Sequence, residues 1–245
     1  MSIEIDFCWG RQGARLAALN TATVAIVDVL SFSTAVAVGC AAGARISPFT
    51  SATHARDAVA AKPDMKLAVR REEASPGRFS LSPVSFLHAT PEDWIALPSP
   101  NGATCCTIAV EYGATGIFAG SLVNATATAH ALQAEADRTG CCIWVVACGE
   151  RTAPQGLDDA IRFALEDYLG AGAILSQLEG RFSPDAELCR SAYRAVAANT
   201  AKLIAACESG IELIARNCEG DVSLALQADL YPCAARMVNG SFTAF

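Results

Sequence analysis

The chain has 245 residues, with 18 Lys and Arg against 25 Asp and Glu for a net charge of −7 and a sequence pI near 5.0. That balance excludes a nucleic-acid footprint and an electrostatic membrane anchor, both of which need a basic face. Hydrophobic residues at 52% and charged residues at 18% exclude a disordered chain, and no apolar run reaches the roughly 18 residues of a membrane span.

The N-terminal MSIEIDFCWGRQGAR carries no signal-peptide core, so the expectation is a soluble, cytoplasmic protein. TATVAIVDV (21–29) predicts a buried strand, and STAVAVGCAAGA (33–44) a helix closed by Gly43. ARISPF (44–49) is the next strand and SATHARDAVAAK (51–62) the next helix, with Ser51 placed to cap it. KLAV (66–69), WIAL (94–97), ATGIFA (114–119) and CCIWVVAC (141–148) continue the strands, and helical stretches near 103–112 and 123–138 separate the later ones. Between the third and fourth strands, residues 71–93 form the longest irregular stretch, a length that is usually functional or mobile.

Short apolar strands alternating with helices predict an α/β fold, three layers (α/β/α) around a mostly parallel sheet. Residues 157–228 have helical period, interrupted at Gly170, Gly180 and Gly210, and CAARMV (233–238) is a run that can return to the sheet. The expected organisation is one α/β unit over 1–245 with a helix-rich C-terminal third, divisible into subdomains at about 1–148 and 149–245.

The eleven cysteines are odd in number and include two adjacent pairs, Cys105-Cys106 and Cys141-Cys142. Without CxxC spacing, and with three scattered histidines, they are expected to be small apolar fillers in a reducing compartment.

In an open parallel sheet, ligands bind beyond the carboxyl ends of the strands. The residues there are Asp28 with Ser31, Ser33 and Thr34; Arg70 and Arg71; Ser99, Asn101 and Gly102; Ser121 and Asn124; Gly149, Glu150 and Arg151. This set is rich in hydrogen-bond donors, and several segments open a helix, where free N–H groups favour an anion. Asp28 is either a metal ligand or nucleophile, or a cap for the following helix. SPNGAT is either a plain turn or an anion loop. Glu166 has an i,i+4 surface pair with Arg162 as its simple explanation, and Asp167 then points elsewhere. GxxxxGK[ST], a strand-following GxGxxG, GxSxG and DxDx[TV] are all absent.

Taken in order, VAIVDVLSFSTAVAVGCAAGA (24–44), RRE with FSLSP (70–72, 79–83), LPSPNGAT (97–104), AGSLVNATA (119–127), VVACGER (145–151) and LEDYLGAGAIL (165–175) resemble the 2-phosphosulfolactate phosphatase (ComB) family. The resemblance extends from about residue 20 to DLYPCAARMVNGSF. It implies a Mg²⁺-dependent phosphatase releasing sulfolactate and phosphate, a step that lies in some organisms on the route to coenzyme M. By this likeness Asp28 and Asp167 are catalytic, and Asp28, Glu150 and Asp167 are metal ligands. Ser31, Ser33, Thr34, Arg71, Ser82, Asn101, Gly102 and Asn124 would bind substrate. The expected partner is a small phosphoester, with neither nucleic acid nor membrane; a homodimer is one assembly open to the chain, whose oligomeric state the sequence does not give. Three positions depart from the family pattern: Ser31 replaces the Arg of DVLRA[ST]T, Arg70 replaces the Glu of GER, and LSP lacks the Gly-Asn of GNSP. The Ser31 and Arg70 replacements motivate one alternative, a catalytically inactive anion-binding or regulatory protein on the same scaffold; a structural role in a homo-oligomer with a vestigial site is a third option.

Overall fold

The computed structural model describes residues 2–75, 77–151 and 161–245. In chain order the elements are β1 (Glu4–Trp9), α1 (Gly10–Leu19), β2 (Thr23–Val27), α2 (Phe32–Ala41), β3 (Arg45–Phe49), α3 (Ala52–Ala61) and β4 (Met65–Leu67). They continue with β5 (Trp94–Pro98), α4 (Gly102–Glu111), β6 (Gly116–Gly120), α5 (Ala125–Thr139), β7 (Ile143–Ala147), β8 (Glu150–Arg151) and β9 (Ile161–Arg162). The remainder is α6 (Leu165–Leu175), β10 (Arg181–Phe182), α7 (Pro184–Val196), α8 (Thr200–Ala205), α9 (Glu208–Ala215), α10 (Glu219–Ala225), β11 (Ala235–Val238) and β12 (Ser241–Ala244).

Ten strands form one sheet in the order β10-β1-β7-β2-β6-β11-β12-β3-β5-β4, and β8 pairs with β9 apart from it. The fold is α/β and the sheet largely parallel, as the alternating pattern predicts. The first five strands of that order are mutually parallel, as are β3, β5 and β4. The hairpin β11–β12 joins the two blocks through antiparallel pairings on both sides. CAARMV therefore does return to the sheet, as its bridge between blocks. β2 is buried at every position because helices cover both faces. One core packs around Val24, Ile26, Phe32 and Ile46, the other around Ala25, Val27, Leu169 and Ile174.

Several expectations need correction. The N-terminal strand and helix, β1 and α1, were not expected. β1 alternates Ile5 and Phe7, both buried, with acids, which is a period-two signal. The span 157–228 begins in undescribed residues, and its described part opens as strand β9 rather than helix. Gly170 does not interrupt a helix but lies inside α6. A Cβ there would come within 2.5 Å of Val29 Cγ2, so glycine allows α6 to lie close on the sheet. Gly210 likewise sits within α9.

Residues 71–93 are less irregular than expected. Two 3₁₀ segments, Arg71–Glu73 and Pro83–His88, lie in the stretch, and Ser80 bridges Val69 in parallel. Phe79 and Phe86 are fully buried, their ring centroids 5.1 Å apart, and a Cβ on Gly39 would reach Phe86 at 2.8 Å. All eleven cysteines are free and none is exposed. Among the described residues no helix is long and apolar enough to cross a membrane.

Because Phe86 fastens the 71–93 segment to α2, Phe86→Ala should cost about 3–5 kcal/mol of unfolding free energy, the usual range for a fully buried Phe. Urea denaturation measures it. A loss below about 1 kcal/mol would mean that the segment is not part of the core.

Candidate active site at the strand ends

Asp28 follows β2 directly and is 7% exposed. Its Oδ2 accepts from the Gly102 N–H at 2.9 Å and its Oδ1 from the Phe32 N–H at 3.3 Å. The first residues of α4 and α2 thus aim their amides at one carboxylate, where two helix dipoles favour negative charge. Gly102 has to be glycine, since a Cβ would lie 2.2 Å from Phe32 Cδ1 and 2.8 Å from Asp28 Oδ2. Asp28 is thus a helix-terminal anion, but for two helices at once and not only for the one that follows it.

Burial pushes the Asp28 carboxyl up to about 6. The Gly102 and Phe32 amides pull the other way, and Glu150 and Glu166 add to the rise. Asp167, on the first turn of α6, is equally buried. Its Oδ1 accepts from the Val29 N–H at 2.8 Å and its Oδ2 from the Gly149 N–H at 2.9 Å, clamping the ends of β2 and β7 together. Burial, then the charges of Asp28 and Glu166, hold the Asp167 carboxyl well above the ordinary range. Two interacting buried carboxyls of this kind titrate as a pair.

The hydroxyls of SFST divide by role. Ser33 Oγ accepts from the Asp28 N–H at 3.0 Å and donates to the Asp28 carbonyl at 2.8 Å. Thr34 donates to the Val29 carbonyl at 2.7 Å, which leaves Ser121 to donate to Thr34 across 2.6 Å. Ser31 differs from both. Its Oγ accepts from the Arg71 guanidinium at 2.8 Å, and its own proton has no acceptor among the described residues. Asn124 is fully buried. Its Oδ1 accepts from the Ser121 N–H at 2.9 Å and its amide donates to the carbonyls of Ala119 at 3.3 Å and Cys233 at 3.5 Å. Asn101 donates to Glu150 at 3.2 Å, and both are half-buried.

Sequence reasoning missed Asp221. This α10 carboxylate is 3% exposed, and it accepts from the Arg71 guanidinium through one oxygen and from the Ser82 hydroxyl through the other. Arg71 and Ser82 are thereby tied to one acid, and Arg71 reaches Ser31, whereas Arg70 is exposed. Nothing local in EGDVSLA marks Asp221, because its partner lies 150 residues away. Glu166, expected on the surface, is 4% exposed and accepts from the Cys207 thiol at 3.2 Å. Arg162 instead pairs with Glu208. Glu166 is turned inward because both flanks of α6 are covered.

Among the described residues, no group of three or more His, Cys, Asp and Glu side chains is arranged to hold a metal ion. Among the same residues no cation pairs with Asp28 or Asp167. A cleft of about 680 Å³ between α1 and α4, and another of about 500 Å³ beside Trp9, lie away from Asp28.

A raised carboxyl favours the folded state below its unfolded value and loses that advantage as pH climbs through its folded value. Asp28 should therefore weaken the fold as pH rises from about 4 to about 6, by on the order of 2–3 kcal/mol. In Asp28→Asn this slope should flatten, as measured by unfolding at stepped pH. An unchanged slope would mean that Asp28 is not buried as an acid.

Among known proteins, the family model described as 2-phosphosulpholactate phosphatase matches residues 12–240 of this chain. No curated protein matches it.

Proposed function

The chain belongs to the 2-phosphosulpholactate phosphatase family and is thereby a phosphoric monoester hydrolase; on that premise we propose that it cleaves the phosphate ester of a small phosphorylated acid, 2-phosphosulpholactate or a relative, at the Asp28 cluster. One observation carries this reading. Asp28 is buried at the start of two helices, and three residues later Ser31 holds the Arg71 guanidinium. An acid and the contact point of a forked cation thus lie three residues apart on one short segment.

In this reading Arg71 neutralises phosphoryl oxygens with the N–H groups that Asp221 and Ser31 leave free, and the Ser31 hydroxyl donates to the same group. Asp28, with a carboxyl near 6, accepts the proton of the attacking water. Asp167 holds the strand ends in place. Gly102, Ser33, Thr34, Asn124 and Ser82 build the frame, since they bond Asp28, Val29, Ser121, Cys233 and Asp221, and Asn101, tied to Glu150 through its amide nitrogen, keeps its oxygen for substrate.

A divalent cation suits the donor set. Mg²⁺ is held by one or two carboxylates with waters and substrate phosphate making up the rest. Each Asp28 oxygen keeps a lone pair beyond its N–H bond, and two buried acids with no paired cation are electrostatically incomplete. Asp28, joined by either Glu150 or Asp167, would hold the ion, which would polarise the phosphoryl group as a Lewis acid. A cytoplasmic, reducing setting goes with the eleven free thiols. Participation in coenzyme M formation belongs to the same proposal.

Inorganic phosphate release across a panel of small phosphoesters, with Mg²⁺ and with EDTA, tests the reading. Asp28→Asn should lower turnover by about a thousandfold or more. Arg71→Lys should raise the phosphate dissociation constant about tenfold, because a point charge replaces a fork, while Arg70→Lys changes it by less than about twofold. Phosphate bound with no released product from any ester would favour the inactive binding scaffold.

A further inference from the structure

A second constellation lies off the end of β1 and takes no part in the proposed hydrolysis. Four aromatic rings, Phe7, Trp9, Phe163 and Tyr168, meet there. Phe7 stands nearly perpendicular to Trp9 (5.5 Å, 82°) and steeply to Tyr168 (5.6 Å, 69°), while Trp9 and Tyr168 are nearly parallel (6.0 Å, 14°). Phe163 closes on Trp9 and Tyr168 at 5.3 and 5.5 Å although its side chain is 55% exposed. The rings border a cleft of about 500 Å³ whose wall also includes Asp185 and Leu188.

Asp185 decides what such a cleft suits. It lies in the first turn of α7, and among the described residues it makes no ion pair and no side-chain hydrogen bond. It lines the same cleft as Trp9, Phe163 and Tyr168, which puts the free carboxylate within electrostatic reach of the ring cluster. Further acids, Glu166 and Asp167, precede Tyr168 on α6. On β9, Arg162 is already paired with Glu208. Ring faces carry negative quadrupole charge and attract a soft cation that sheds its water cheaply. An unpaired carboxylate at the rim adds attraction that a neutral guest cannot use.

The geometry points to a binding site for an organic cation, a quaternary or methylated ammonium group, seated against Trp9, Tyr168 and Phe163 with Asp185 at its edge. The site is separate from Asp28. Trp9 and Val27 both stand opposite Ala147 in the sheet register, so the ring cluster sits two strands, about 10 Å, from the end of β2. Its existence does not depend on the phosphatase reading, and binding can be measured without turnover.

Calorimetric titration of the full chain with choline, beside 3,3-dimethyl-1-butanol, in which carbon replaces the nitrogen, isolates the charge. Choline should saturate a single site and bind at least about tenfold more tightly than the neutral alcohol. Asp185→Asn and Phe163→Leu change exposed side chains, and each should weaken choline about fivefold at an unchanged Tm. Equal affinity for the two compounds would make the cleft a plain apolar surface and overturn the proposal. So would choline that fails to saturate, or choline binding indifferent to Asp185→Asn.

Discussion

A carboxylate taken out of water must be held by something, and the structure around Asp28 is organised to do that. Moving such a charge into a low-dielectric interior costs several kcal/mol unless donors replace the lost hydration. Here the donors are the leading amides of α2 and α4, which can converge only if the chain turns sharply after β2 and after β5. Gly102 permits that approach because any larger residue would strike Phe32 or Asp28 itself. β2, α2, β5 and α4 are thereby registered on one acid. Their helix dipoles offset part of the burial cost but not all of it, and the carboxyl stays near 6.

The C-terminal third completes what the first half begins. α6 returns Asp167 to the backbone of Val29 and Gly149, and α10 returns Asp221 to Arg71 and Ser82. Both acids are nearly water-free, and both act on segments far away in sequence. A helical region that would otherwise be a cover for the sheet thus fixes the spacing between strand ends and the aim of Arg71 at Ser31. Weakening α10 would therefore be felt at Arg71 before it was felt in the sheet.

How much of this could be read from the chain follows from where each interaction lies. The central strands and the helices between them are marked by composition: apolar runs of four to six residues ending in Gly, Ser or Asp have few other uses. Asp28, Ser31, Gly102 and Arg71 were visible as strand-end residues, because the rule placing ligands there needs only the order of elements. β1 was legible by alternation, yet Glu4 and Asp6 dilute its apolar signal. The inner glycines misled. Gly170 resembles a helix break, but inside α6 it is the gap into which Val29 fits. Asp221 and the burial of Glu166 had no signal at all, since a single acid on a helix reveals its face only when its distant partner is known.

The departures from the family pattern also acquire a physical reading from this geometry. With Ser at position 31, the hydroxyl oxygen accepts from Arg71; an Arg there would have no lone pair to offer and would set two guanidiniums against each other unless an anion lay between them. The exchange therefore removes one cation while giving the remaining one a neutral partner that fixes its direction. Asp221 already balances Arg71, and Asp28, Glu150, Glu166 and Asp167 surround the site with acid. Arg70 adds a cation where the family pattern has an acid, but it is exposed and does not restore the one missing at position 31. Within the proposed reaction, the lost Arg bears on which phosphorylated acid is preferred. The buried acid and the forked cation that cleavage would use are both still in place.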